Sequence, residues 1–189
     1  MENNIFDTLI VVPLSLGAYK AGVIEAKEIS LDRAFRGLRA SNACGLYGKC
    51  WMCPPDVGEI DDLMSEVGQY DYALVYQTVT ELEDSYDFEG MIEAKKKSYP
   101  LAQGLRKTFD DPKFVKVLHL GAGGCGVCKV CAKRSSEPCR YPERAMPSLE
   151  AYGINVSALA KSAGMKYING QDTVTYFGAV LFSLNGEMQ

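Results

Sequence analysis

Residues 114–131, FVKVLHLGAGGCGVCKVC, carry two incompatible readings, and the fold turns on which one holds. The apolar stretch Phe114–Leu120 predicts a strand, and it runs straight into glycines and cysteines. Gly121-x-Gly123-x-x-Gly126 has the spacing of a dinucleotide-binding turn, whereas Cys125-x-x-Cys128-x-x-Cys131 has that of an iron–sulfur loop. A dinucleotide turn opens directly into a helix that receives the pyrophosphate, with an acidic residue about 20 positions on. Here the glycines lead into three cysteines and a segment broken by Pro138, Pro142 and Pro147, and no strand precedes Glu143. The nucleotide reading fails, and neither NAD nor NADP is expected to bind appreciably.

Three-residue steps let a loop curl so that successive thiolates point at one centre. Cys139, in the proline-rich continuation, is the natural fourth ligand after Cys125, Cys128 and Cys131. A cluster carries negative charge, and backbone N–H groups must come close to its sulfurs. Gly123, Gly124 and Gly126 supply that bare backbone, so they are the expected cofactor-binding positions. A [4Fe–4S] cluster is the expected cofactor. Zinc held by four thiolates is the alternative, although zinc knuckles usually present two C-x2-C pairs on separate arms.

A second group of thiols, Cys44, Cys50 and Cys53, lies in NACGLYGKCWMCPPD, residues 42–56. Two clusters with four cysteine ligands each would need eight, and the chain has seven. A second metal here would therefore keep an open or non-cysteine position, where substrate chemistry happens. Alternatively, these thiols supplement the first centre, or the segment is a tight turn that packs Trp51. Tyr47 and Trp51 interleave with the cysteines and can shield a site from water.

Around these motifs the chain reads as alternating strands and helices. Val23–Ile29, Tyr72–Val79, Phe114–Leu120 and Thr173–Leu184 predict strands, and the N-terminal MENNIFDTLIVVPLSLG predicts a strand and turn. Ser30 precedes a helical stripe of Leu31, Ala34, Phe35 and Leu38. Asp56 is the expected N-cap of a helix carrying Val57, Ile60, Leu63, Met64 and Val67. Residues 88 to about 109 predict a helix kinked or split at Pro100. Ser148 and Asn155 are expected to cap short helices ending at Gly153 and Ala163. The fold class is α/β: one domain over residues 1–189, with a central mixed sheet of about four to five strands covered by helices. A cysteine-rich irregular region completes it. Two-residue hairpin signals are scarce, which favours crossover connections.

Composition narrows the function. The 189 residues are 47% hydrophobic and 23% charged, ordinary for a globular protein. A formal charge of -4 and a pI near 5.1 argue against a nucleic-acid surface. No run reaches the roughly 18 apolar residues of a membrane span, and the N-terminus lacks a basic region before its apolar stretch. A cytoplasmic setting is the default expectation, and seven cysteines in a reducing compartment point to metal or redox chemistry. His119, the only histidine, lies in an apolar strand and reads as a core residue, with donation to a cluster sulfur as its other role. Asp61-Asp62 and Asp110-Asp111 read as exposed acids at helix ends. Arg140 and Arg144 can hold an anion, screen a cluster's charge or simply face solvent.

The stretches CGLYGKCWMCPP and GGCGVCKVCA, Cys139 with Pro142, and SLEAYGINVSALAKSAG together resemble the DUF2284 family of predicted metal-binding proteins, over residues 44 to about 164. The resemblance implies metal ligation by Cys44, Cys53, Cys125, Cys128, Cys131 and Cys139, and similarity to iron–sulfur proteins of anaerobic bacteria and archaea. Cys50 fits the family pattern less regularly. The expected function is electron transfer or redox sensing through at least one [4Fe–4S] cluster. Its rivals are a metalloenzyme with an open site at Cys44, Cys50 and Cys53, and a zinc-stabilised interaction module. A redox partner protein or a small-molecule substrate is implied, with neither nucleic acid nor membrane.

Overall fold

A computed structural model describes residues 5–40, 42 and 45–185 of the chain. Strands β1 (Lys20–Glu25), β2 (Tyr72–Glu81), β3 (Phe114–Leu120) and β4 (Thr173–Leu184) form one sheet in the order β1-β2-β4-β3. All three pairings are antiparallel, so the expected mixed sheet is corrected to an antiparallel one. The scarcity of hairpins was a sound reading of the connections, which are long. Antiparallel neighbours can also be joined by long excursions, and connection length alone does not set strand direction.

Side chains alternate across the two central strands, and both faces are covered. Ala73 and Val75 of β2 and Phe177, Ala179 and Leu181 of β4 face one core, while Leu74, Tyr76, Val180 and Phe182 face the other. Burial on both faces is why these strands read as continuous apolar runs.

The second of these cores is closed by α1 (Ile5–Ser15) and α4 (Phe88–Phe109). Helix α1 replaces the strand expected at the N-terminus. Its β-branched Ile10, Val11 and Val12 favour a strand locally, but Ile5, Phe6, Leu9 and Val12 share one helical face and pack on the sheet. Packing overrides propensity there. Helix α4 runs through Pro100 as a single element, with Asp87 capping its start through Gly90 N at 2.8 Å.

The opposite face is covered by α3 (Ile60–Val67), α5 (Val156–Ser162) and a 3-10 turn at Leu149–Tyr152. Ser148 and Asn155 cap the last two as expected, through Ala151 N and Ala158 N. Helix α3 starts three residues later than Asp56 suggested, with Glu59 at its N-cap position. The strand expected to reach Ile29 ends at Glu25 and continues as a 3-10 turn, Ala26–Glu28. Helix α2 spans Arg33–Ala40, with Asp32 Oδ1 accepting from Ala34 N at 2.8 Å; the Leu38 side chain lies outside the described structure. Leu31 instead bridges Ile154 as extended backbone.

Candidate metal centre

Two irregular arms emerge beside the sheet. The first, residues 45–59, is a succession of turns: Cys53 N donates to Cys50 O at 2.9 Å, Gly48 N to Pro54 O at 2.9 Å and Val57 N to Cys53 O at 3.1 Å. The Pro54–Pro55 peptide is cis. Arg36 ties the arm's end to the fold, donating to Gly58 O at 2.6 Å and Ala151 O at 3.3 Å. The second arm, residues 121–147, leaves β3 and is pinched at its base. There Gly121 N donates to Pro147 O at 2.9 Å and Leu149 N to Gly121 O at 3.1 Å.

The two arms fold onto one another. Trp51 Nε1 donates to Glu137 O at 2.9 Å, and Lys133 Nζ bonds Asp56 Oδ1 at 2.5 Å while lying 4.2 Å from the Trp51 ring centre. Trp51 is therefore neither a core residue nor a loose shield but a clamp between arms. Asp56, taken from the sequence as a helix cap, is drawn away to Lys133. Cys53 consequently lies in a turn and not at a helix N-terminus. Tyr47 is largely exposed.

Six thiols are described, none in a disulfide: Cys50 and Cys53 are buried, and Cys125, Cys128, Cys131 and Cys139 are partly exposed. Cys44 lies outside the described residues. Cys50 and Cys53 are hydrogen-bonded to one another, and the N–H of Cys125 donates to the Cys50 sulfur. The Cys53 bond and burial push the Cys50 thiol far above its usual range, against the pull of the Met52 and Cys125 amides. Burial likewise raises Cys125, which also feels Cys50 and Cys139. A metal must overcome these neutral thiols by displacing their protons.

The glycines of the second arm are required by close approach. A Cβ on Gly124 would stand 3.3 Å from Cys53 Sγ and collide with Leu46, and one on Gly126 would enter the Tyr99 ring. Gly123 has φ +64°, and Lys95 Nζ lies beside it. Tyr99 donates to Gly124 O at 3.3 Å, so the helix α4 ring both seats on and ties the glycine run. Tyr99 was not marked by a sequence pattern, because a single helical position carries no spacing signature. His119 is a sheet residue. Its ring meets Phe109 edge-on at 5.9 Å, and burial, helped by the Arg106 charge, holds its pKa down to about 3. Asp61, Asp62, Asp110 and Asp111 are exposed, as expected.

Among the described residues, no three His, Cys, Asp or Glu side chains stand around one point closely enough to hold a metal ion. The donor set still fits a thiolate-ligated group: soft sulfur ligands from two arms, with the side-chain-free Gly124 backbone against Cys53. No helix of the described residues is long and apolar enough to cross a membrane.

No curated protein and no solved structure matches the chain. The model of one family does, that of the predicted metal-binding protein DUF2284, over residues 22–182. That match spans the sheet, both arms and α5. The chain belongs to the DUF2284 family of predicted metal-binding proteins.

Proposed function

We propose that the chain is an iron–sulfur protein whose two arms enclose a single [4Fe–4S] centre, serving electron transfer or redox sensing. Cys125, Cys128, Cys131 and Cys139 are the ligands of this reading, and Cys50 and Cys53 line the centre from the first arm. The observation that carries it is the approach of Cys53 Sγ and the Cys50 sulfur to the Gly124–Cys125 backbone. Cys50 and Cys53 of the first arm thus stand beside the backbone at the second arm's first cysteine, which favours one centre over an independent second site.

The cysteine spacing favours a cluster over lone zinc. Successive C-x2-C steps through Cys125, Cys128 and Cys131 are the spacing of a cubane loop, whereas zinc knuckles usually present two pairs on separate arms. A cluster held here supplies one-electron transfer. Trp51 and the Lys133–Asp56 pair limit water on the first-arm side, and the bare Gly124 backbone lies close to the Cys53 sulfur.

Iron and acid-labile sulfide analysis of anaerobically purified protein tests this. About four irons and four sulfides per chain are expected, with both lost in Cys128→Ser. One zinc per chain without sulfide would contradict the proposal, and about seven or eight irons would mean two centres.

A further inference from the structure

A cleft of about 290 Å³ opens beside the thiol centre, between α4 and the second arm, with Cys125 and Gly126 in its wall. Tyr99, Gln103, Lys96 and Arg144 supply its polar groups, and no carboxylate lines it. The volume lies near the lower end of the range for small-molecule sites, about 300 Å³. A neighbouring cavity of about 280 Å³ is lined by both Lys95 and Glu150, so its charge is mixed. The cleft at Cys125 is one-signed.

Its two cations differ. Lys96 is paired with Glu93 at 2.6 Å. Arg144 has, among the described residues, a 3.5 Å contact with Gln103 Oε1 and the face of Tyr141 at 5.7 Å. Arg140, its sequence companion, instead bonds Val130 O at 3.2 Å and Glu137 at 3.5 Å. Arg144 is thus the guanidinium with no carboxylate partner.

The segment bearing Arg144 is held in place from behind. Gln103 Nε2 donates to Arg144 O at 3.0 Å, and Arg106 Nη2 donates to Arg144 O at 3.3 Å and Ala145 O at 3.1 Å. Arg106 Nε is buried with no hydrogen-bond partner, and Asp110 and Glu143 act on Arg106 only at a distance. A second, half-buried guanidinium without an ion pair therefore stands directly behind the first.

We propose that this cleft binds a small organic carboxylate, held by Arg144 with Gln103 and Tyr99 beside it, against the Cys125 side of the thiol centre. A planar guanidinium matches a carboxylate in two parallel hydrogen bonds, and no carboxylate side chain of the cleft lining competes for Arg144. Pro100 and Met146 give the carbon skeleton an apolar floor. The site rests on the proposed function for its role, because a substrate or effector bound there would touch the edge of the redox centre.

Calorimetry on the purified full chain tests the site, with acetate, succinate and the uncharged succinamide as probes and metal content measured on the same sample. Acetate or succinate should bind saturably at millimolar or tighter concentration, and succinamide at least about tenfold more weakly. Arg144→Gln should weaken carboxylate binding at least about tenfold, Arg144→Lys less, and the control Arg134→Gln not at all. No saturable binding of either carboxylate, equal binding of succinamide, or unchanged binding in a folded Arg144→Gln variant would overturn the site. Carboxylate binding by protein without iron or sulfide breaks the redox reading and leaves the cleft standing. Full iron and sulfide without carboxylate binding does the reverse.

Discussion

The sheet and the two cysteine arms are stabilised by different physics. In the sheet, Leu74, Val180, Leu181 and Phe182 are fully buried, and each strand contributes to two cores at once. The arms have turns, the Trp51–Glu137 bond, the Lys133–Asp56 pair between them and a run of glycines that lets Tyr99 and Cys53 come close. Hydrophobic burial scales with area and is not directional, whereas the arms depend on a few placed contacts and on whatever the thiols hold. The sheet should therefore survive without metal, and the arms should not keep their order without it.

The largest effect should come from the sheet. Phe182 is wholly buried and meets the rings of Tyr72, Phe109 and Phe114 at 5.7, 5.3 and 5.4 Å. Phe182→Ala should cost about 3–5 kcal/mol in urea unfolding, whether or not metal is bound. A loss below about 1 kcal/mol would mean that the core is not where the stability lies.

The next effect belongs to the arms. Gly126→Ala drives a methyl group into Tyr99 and should cost about 1–3 kcal/mol, with loss of bound metal. Adding Tyr99→Ala removes the collision, so the double variant should recover part of that stability. If the two substitutions are additive, the ring does not rest on the glycine.

The smallest effect separates the histidine from the metal site. The folded pKa of His119, about 3, lies below the unfolded value near 6.5, so the unfolded chain takes the proton first. That contribution to stability is complete above pH 6.5 and declines as the pH falls toward 3. It should amount to about 1 kcal/mol between pH 7 and 5.5, and His119→Leu should lack that part of the pH dependence while retaining metal. Metal loss in His119→Leu would move the residue from the sheet to the arms.

Much of the sheet was readable along the chain, because β2, β3 and β4 are apolar runs bounded by turn residues, and α4 keeps its pattern through Pro100. Helix α1 was not, because Ile10-Val11-Val12 speaks for a strand until the sheet offers a face to pack on. Strand direction was not readable either, since the pairing of β4 between β2 and β3 brings together residues about 60 to 110 positions apart. At the site, the cysteine spacing and the glycine run were plain. The closure of the arms was hidden, because it depends on Lys133 claiming Asp56 and on Trp51 reaching a carbonyl 86 residues away.

The joining of the two arms is tested most directly by measuring iron and sulfide in Cys53→Ser beside Cys128→Ser, both purified without oxygen. If the first arm lines the same centre, Cys128→Ser should empty it and Cys53→Ser should lower the iron content by about half or more. A Cys53→Ser protein that keeps the full wild-type iron and sulfide, while Cys128→Ser loses both, would show that the arms touch without sharing a centre.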